Sequence, residues 1–395
     1  MEHTIKAPPQ RDLRIDFFRG LALIMIFIDH IPGNTLSRLT FSNFGFSDAA
    51  EVFVFLAGYS AMLAYSRAFE RRGFIDGSMR VGRRIFEIYY WHLGVLALSF
   101  ALLVTAAQRF GDPAYLNNIG MWEFILTPGR ALAQSLSLVH QPNLLNILPL
   151  YIALLAWFPV LYLLIRIDRW LALSVSFLIW LAANLWPINL PSTLEVTGWV
   201  FNPFAWQFLF AIGAVAADSL GVRQWRAPGW VIAAASAYLV FALVMNAPWT
   251  AIPGLGESRL ISASLLGHMD KSYLSLWRVL HLLALACVID HLVRPRTEWL
   301  QTPLAEAFAW PGRHSLEVFC FGTLLSFAGW IVLRQTGAGF GLQFAVTVAG
   351  IGAMVGAAWV LEKRKRERKL RASAGARQAP RPSLSSSRSS TAGQA

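Results

Sequence analysis

The chain has 395 residues, of which 56% are hydrophobic and only 14% charged, and its formal net charge is +12. A soluble domain carries about 25% charged residues, so this composition excludes an ordinary soluble enzyme. The cations fall between apolar runs of about twenty residues, the length that crosses roughly 30 Å of hydrocarbon, and that placement argues against a nucleic-acid surface.

Residues 1–14 read as a polar cytoplasmic segment. They are not read as a cleavable leader, because Arg19 interrupts the apolar run that follows and no small-residue cleavage site comes after it. Spans are expected near 15–31, 48–66, 85–107, 144–165, 169–187, 203–219, 229–246, 273–292, 313–333 and 338–361. The stretch 121–139 is shorter and amphipathic, and is assigned to an interfacial loop.

With the N-terminus inside, basic residues gather on the cytoplasmic face. They are Lys6, Arg11, Arg14, Arg67, Arg71, Arg72, Arg80, Arg83, Arg84, Arg166, Arg169, Arg223, Arg226, Arg294, Arg296 and Arg313, with the tail. The outer loops hold only Arg38, Arg109, Arg130, Arg259, Lys271 and Arg334. This positive-inside pattern predicts an all-α polytopic integral membrane protein with about 10 transmembrane helices and both termini cytoplasmic. The domain reading is a segment 1–14, a transmembrane domain 15–361 and a basic, Ser-rich disordered tail 362–395. The tail begins with the run KRKRERKLR. That run either attracts anionic headgroups or serves as a stop-transfer flank.

The first helix pair is unusually polar for a membrane segment. Asp16, Arg19, Asp29, His30, Asp48 and Glu51 lie in or beside two apolar runs, and an intramembrane charge is functional by default. Arg19 and His30 are eleven steps apart, three helical turns, so they share a face about 16 Å apart along the axis. Asp16 lies one turn before Arg19 and can neutralise it. His30 sits where Pro32 stops the helix and can serve as a base near neutral pH. Asp29 is a weaker candidate to orient it, being about 100° round the helix.

Asp48 and Glu51 open the second span. FSDAAE reads either as a capped helix start or as part of a site in which Glu51 pairs with His30 or Arg38. Gly58 and Ser60 allow close packing or room for a ligand chain.

VHQPNLLNILPLY adds His140, Gln141, Asn143 and Asn146 at an outer helix start, and FNPFAWQFLF adds Asn202 and Gln207. Such uncharged hydrogen-bonders, with Trp206 beside them, suit a sugar; capping and interhelical bonding are the competing reading. Arg278 and His281 share one helical face. Arg278 lies too deep for a loop charge and needs a carboxylate, Glu51 or one from a ligand. Arg313, His314 and Glu317 open a later helix, with Glu317 spaced as a capping-box residue. Cys287 and Cys320 read as core residues. The sequence lacks GxxxxGK[ST], GxSxG, CxxC and HExxH, and nothing in it suggests a bound metal.

The motifs RDxRxDFFRGLAL, DHIP, FGFSDAAEVFVFLAGYS, HQPNLLNILPLY, FNPFAWQ and GRHSLEVF, in that order from residue 11 to 361, resemble the OpgC family. Its members are inner-membrane proteins that succinylate osmoregulated periplasmic glucans. The family is similar to the wider acyltransferase-3 group, whose first helix carries a basic residue, ten others and a histidine; Arg19 and His30 fit that spacing. The resemblance implies an O-acyltransferase moving an acyl group from cytoplasmic acyl-CoA, succinyl-CoA, to a periplasmic glucan. It implies no permanently bound cofactor and no nucleic acid, and leaves the oligomeric state open.

On this reading His30, Glu51, Asp29 and Arg19 form the catalytic set. Asp16, Asp48, His140, Gln141, Asn143, Asn146, Asn202, Gln207, Arg278 and His281 form the substrate-binding set. The loop from Arg67 to Arg84 is the candidate for CoA phosphates. A transporter or flippase of a glycan or acyl donor is the alternative, and a sensor with structural buried charges is a third.

Overall fold

Asp12 starts the first helix by accepting the Arg14 N–H at 3.0 Å. This helix, α1 (Leu13–Asp29), ends at His30, just before Ile31-Pro32. Two short 3-10 turns at Thr35–Leu39 and Phe41–Asn43 lead to α2 (Ala49–Phe110). The computed structural model describes residues 12–220, 227–246, 270–293 and 297–378, and no β-strand occurs among them.

α2 opens with the expected capping box, Asp48 on the Ala50 N–H and Glu51 on the Asp48 N–H, each at 2.8 Å. Gly73 breaks it with φ +83° and ψ 174°, a backbone conformation essentially confined to glycine. The break separates the two expected spans at 48–66 and 85–107. It also folds the chain back, so that Arg80, Arg83 and Arg84 stand against Ser60 and Tyr65.

The connection after α2 holds α3 (Ala114–Asn117), α4 (Glu123–Leu126) and α5 (Pro128–Leu136). The nine residues of α5 are too few to span, as the amphipathic pattern of 121–139 indicates. There follow α6 (Ile147–Ile167), α7 (Arg169–Leu185), α8 (Pro203–Leu220), α9 (Gly229–Asn246) and α10 (Leu276–Val293). The last three are α11 (Pro303–Arg313), α12 (Ser315–Thr336) and α13 (Phe340–Gln378).

Every stretch expected to span falls on a helix. Six helices are, among the described residues, long and apolar enough to cross a membrane: α2, α6, α9, α10, α12 and α13. That count takes α2 once, although its 62 residues carry two apolar runs. α1 and α7 have 17 residues each, and α1 carries Arg14, Asp16 and Arg19.

α2 is the hub, packed on α6, α8 and α12. A Cβ on Gly58 would collide with the Phe210 carbonyl, and one on Gly213 with the Phe55 carbonyl. Small residues therefore let α2 and α8 touch backbone to backbone. Gly20 and Gly312 do the same for α1 and α11.

Two expectations are corrected here. Residues 362–378, expected in a disordered tail, continue α13 as helix. Glu362 lies 3.1 Å from His314, 3.5 Å from Arg313 and 3.4 Å from Arg366, and Arg366 reaches Glu306 at 3.2 Å. These pairs tie the middle of α13 to α11 and its cap. Glu317 is also not a capping partner, since the N-cap of α12 is His314 with no side-chain cap bond. The expectations for Lys6, Arg11, Arg223, Arg226, Arg259, Arg294 and Arg296, for the loop 247–269 and for the tail 379–395 lie outside the described residues.

Candidate functional site

At the C-terminal end of α1 a charged cluster forms from three separate stretches of chain. Arg278 on α10 donates through Nε to Glu51 Oε1 at 2.5 Å and through Nη2 to Asp48 Oδ2 at 3.0 Å. Lys271 approaches the same Asp48 oxygen at 2.6 Å. Glu51 is fully buried and the Arg278 side chain is 11% exposed. The pairing of Arg278 with a carboxylate is thus met by Glu51, and met twice, because Asp48 shares it. Two cations face two carboxylates, a formal balance around the buried Glu51 and Arg278, with Lys271 42% exposed at the edge of the cluster.

His30 borders this cluster. Its half-buried imidazole feels the charges of Lys271 and Asp48 but has no hydrogen-bond partner among the described residues. Neither carboxylate expected to orient it does so. Asp29 accepts from the Thr40 hydroxyl at 2.6 Å, because the 3-10 turns after Pro32 bring Thr40 to the side of the helix that Asp29 occupies. Glu51 has both oxygens taken, by Arg278 and by the Asp48 N–H.

His281 does share the α10 face with Arg278, but it is buried and packed. Its Nδ1 lies 2.7 Å from the Ser47 hydroxyl. Phe46, Tyr238 and Phe241 with Trp277 make an aromatic cluster beside it. A Cβ on Gly45 would strike the imidazole. His281, expected in the substrate-binding set, is packed here against Ser47 and this aromatic cluster.

Arg19 sits elsewhere. Its guanidinium donates to the Ser60 hydroxyl and to the Leu56 carbonyl at 3.0 Å. It lines a cavity of about 410 Å³ with Arg80, Arg83, Arg84 and Tyr65. The same cavity reaches Phe53, Ala57, Ala61 and Tyr151. Phe53 to Tyr65 is twelve residues along α2, about 18 Å at 1.5 Å per residue. Glu87 also lines it and is held by Arg84 at 2.8 Å. The cavity wall therefore mixes four arginines, of which Arg19 enters midway at Leu56 and Ser60, with the apolar side chains of Phe53, Ala57, Ala61 and Ala64. Asp16, expected to bind substrate, is buried and lies 3.5 Å from Arg313 Nε; it does not line this cavity.

Most of the expected sugar-binding amides make bonds to the protein itself. Asn202 is fully buried, donating to the Ile188 carbonyl at 2.7 Å and accepting the Phe204 N–H at 3.0 Å. Gln207 donates to the Ser176 carbonyl at 2.7 Å, Gln141 to Leu138 at 2.8 Å and Asn143 to Asn118 at 3.1 Å. His140 is buried with Nδ1 2.7 Å from the Thr193 hydroxyl, and burial holds its imidazole below the usual pKa. Asn202 caps α8 and Gln207 bonds across to α7, while Gln141, Asn143 and His140 bond within or between connecting segments, and Gln207 Oε1 and His140 Nε2 have no partner among the described residues. Asn146 precedes α6, is half-buried, and makes no side-chain hydrogen bond among the described residues.

Lys271 and Thr40 belong to the cluster but not to the expected set. Lys271 carries a signal in the sequence, a cation beside Asp270 at the edge of a span. Thr40 carries none, because its partner Asp29 is eleven residues back across an irregular loop.

The sequence pattern of the OpgC protein family matches residues 11–366. The chain belongs to the OpgC family. OpgC membership implies a membrane transferase that acts in glucan modification. No curated protein matches the chain. The OpgC match takes in both the charged cluster at His30 and the arginine-lined cavity at Arg19.

Proposed function

We propose that this protein is a membrane O-acyltransferase of the bacterial inner membrane. It would take a succinyl group from cytoplasmic succinyl-CoA and place it on a hydroxyl of a periplasmic glucan. The observation that carries this reading is the cavity along α2, with Arg80, Arg83 and Arg84 in its wall, Arg19 entering part-way along at Leu56 and Ser60, and apolar side chains extending to Phe53, two residues from Glu51. Arginine forks suit phosphate oxygens, and an apolar channel suits the uncharged arm of an acyl-CoA.

In this mechanism the donor's phosphates bind Arg80, Arg83 and Arg19, with its thioester at the far end of the cavity. His30, unpartnered and beside a formally balanced charge cluster, takes the proton of a sugar hydroxyl. The sugar oxygen attacks the thioester carbonyl carbon, the C–S bond breaks, and the proton passes to the leaving thiolate. Glu51, Asp48 and Arg278 are positioning residues. They clamp the start of α2 to α10 and so fix the wall that faces His30.

The test compares the mass of periplasmic glucans from cells holding the wild type, His30→Ala, or no copy. Succinyl mass is expected with the wild type only. Succinylated glucan with His30→Ala would remove His30 from the base role, and unmodified glucan throughout would overturn the acyl-transfer reading in favour of transport.

A further inference from the structure

We infer that the cleft between the end of α7 and the loop 270–275 is a subsite for an uncharged glucopyranose unit of the acceptor; this rests on the glucan reading above. The cleft has a volume of about 290 Å³, near the small end of ligand pockets, and is lined by Asn184, Trp186, Pro187, Asp270 and Tyr273.

The chemistry of the lining is that of a sugar site. Trp186 is 59% exposed, so its indole face is open to stack on the C–H face of a pyranose. Pro187 stiffens the chain just after it. Asn184 donates to the Trp180 carbonyl at 2.9 Å and the Tyr273 carbonyl at 3.1 Å. These bonds lock the amide and leave its Oδ1 without a partner among the described residues. Asp270 Oδ1 accepts the Ser272 N–H at 2.7 Å, and its Oδ2 is likewise unpartnered there. Two fixed acceptors beside an aromatic face match adjacent sugar hydroxyls. An anionic ligand such as a nucleotide donor would meet the Asp270 carboxylate with like charge, so the cleft selects a neutral chain.

The position of the cleft connects it to the chemistry. Lys271, the neighbour of Asp270, reaches Asp48 at 2.6 Å, and its charge acts on His30. The loop between them is braced. Trp206 donates to the Lys271 carbonyl at 3.1 Å, Trp180 to the Leu274 carbonyl at 2.9 Å, and the Asn202 N–H to the Ser272 carbonyl at 3.1 Å. One short rigid loop thus presents Asp270 and Tyr273 to the cleft and Lys271 to the charged cluster. A glucan held in the cleft by one unit can offer a neighbouring unit to His30.

The competing role for Trp186 and Tyr273 is anchorage at a membrane interface, which has no need of Asp270. The test uses the full chain in nanodiscs. The probe is unmodified glucan purified from cells lacking the protein. Binding is read without donor by saturation-transfer NMR, and KM is read for glucan and for succinyl-CoA. Trp186→Ala and Asp270→Asn are each expected to raise the glucan Kd and KM about tenfold, the loss of one stacking or one charge-assisted contact, with donor KM moved less than about twofold. Asn keeps the Oδ1 bond to Ser272, and Trp186→Tyr retains a stacking face and most of the affinity.

Unchanged glucan Kd and KM in both variants, with Trp186→Ala lowering only the membrane-inserted yield, would overturn the subsite. A wild type that binds glucan through Trp186 and Asp270 yet transfers nothing would keep the cleft and remove the acyl-transfer reading instead.

Discussion

Arg278 donates to Glu51 at 2.5 Å across 227 residues of chain. The bond joins the first turn of α2 to the first turn of α10, beside His30. It sets the charge balance of the candidate site, since both residues are nearly or wholly out of solvent.

Breaking that pair from one side strands a buried charge. Arg278→Met is expected to cost about 3–5 kcal/mol, and the double change Arg278→Met with Glu51→Met much less, because no charge is then left unpaired. Thermal unfolding of the detergent-solubilised protein measures both. A double-variant loss equal to the sum of the Arg278→Met and Glu51→Met losses would show that the pair is not coupled.

The arginine wall of the cavity gives a kinetic prediction. Arg80→Gln with Arg83→Gln should raise the KM for acyl-CoA about a hundredfold or more, since each phosphate contact of this kind is worth about 1.5–3 kcal/mol. Glucan KM should stay where it is. Titrating salt should weaken donor binding in the wild type more than in the double variant. Arg84 is the poorer probe, because it already holds Glu87 at 2.8 Å.

Asn202 separates a structural amide from a sugar-binding one. Asn202→Ala removes bonds to Ile188 and Phe204 in a fully buried site. It should cost about 1–3 kcal/mol of stability, while the protein that does fold binds glucan as the wild type does. A raised glucan KM with unchanged stability would return Asn202 to the binding set.

His140 predicts a pH response. Its folded-state pKa is lowered by burial, so the neutral ring is the stabilising form. The contribution is complete above the unfolded value of about 6.5 and is lost as pH falls through the folded value. Acidification should therefore loosen the junction of residues 138–146 with Thr193. Hydrogen exchange at the Thr193 amide, which donates to the Val139 carbonyl at 3.2 Å, reads this directly. The rate, corrected for intrinsic exchange, should rise below about pH 6, and His140→Asn should abolish that rise.

Much of the fold was legible because apolar runs and caps are local signals. The capping box at Asp48 and Glu51, the stop at Pro32 and the short amphipathic stretch before His140 all follow from neighbours within a few residues. The long α2 was less legible, since its two apolar runs are joined by a charged stretch that stays helical on both sides of Gly73. The helical extension of α13 was hidden for a related reason. Its basic residues look like a disordered flank until Glu306, Arg313 and His314 from α11 and its cap supply partners.

The sequence by itself determined that this is an all-helical membrane protein with charges concentrated at its first helix pair, because hydrophobicity and charge spacing are written along the chain. Only the tertiary structure decided which of those charges meet. Asp29 went to Thr40, Arg278 took Asp48 as well as the expected Glu51, and Arg19 went to a cavity with Arg80, Arg83 and Arg84. Partner choice between segments tens or hundreds of residues apart depends on helix packing, here on Gly58, Gly213, Gly20 and Gly312 admitting backbone contact, and no local pattern encodes it.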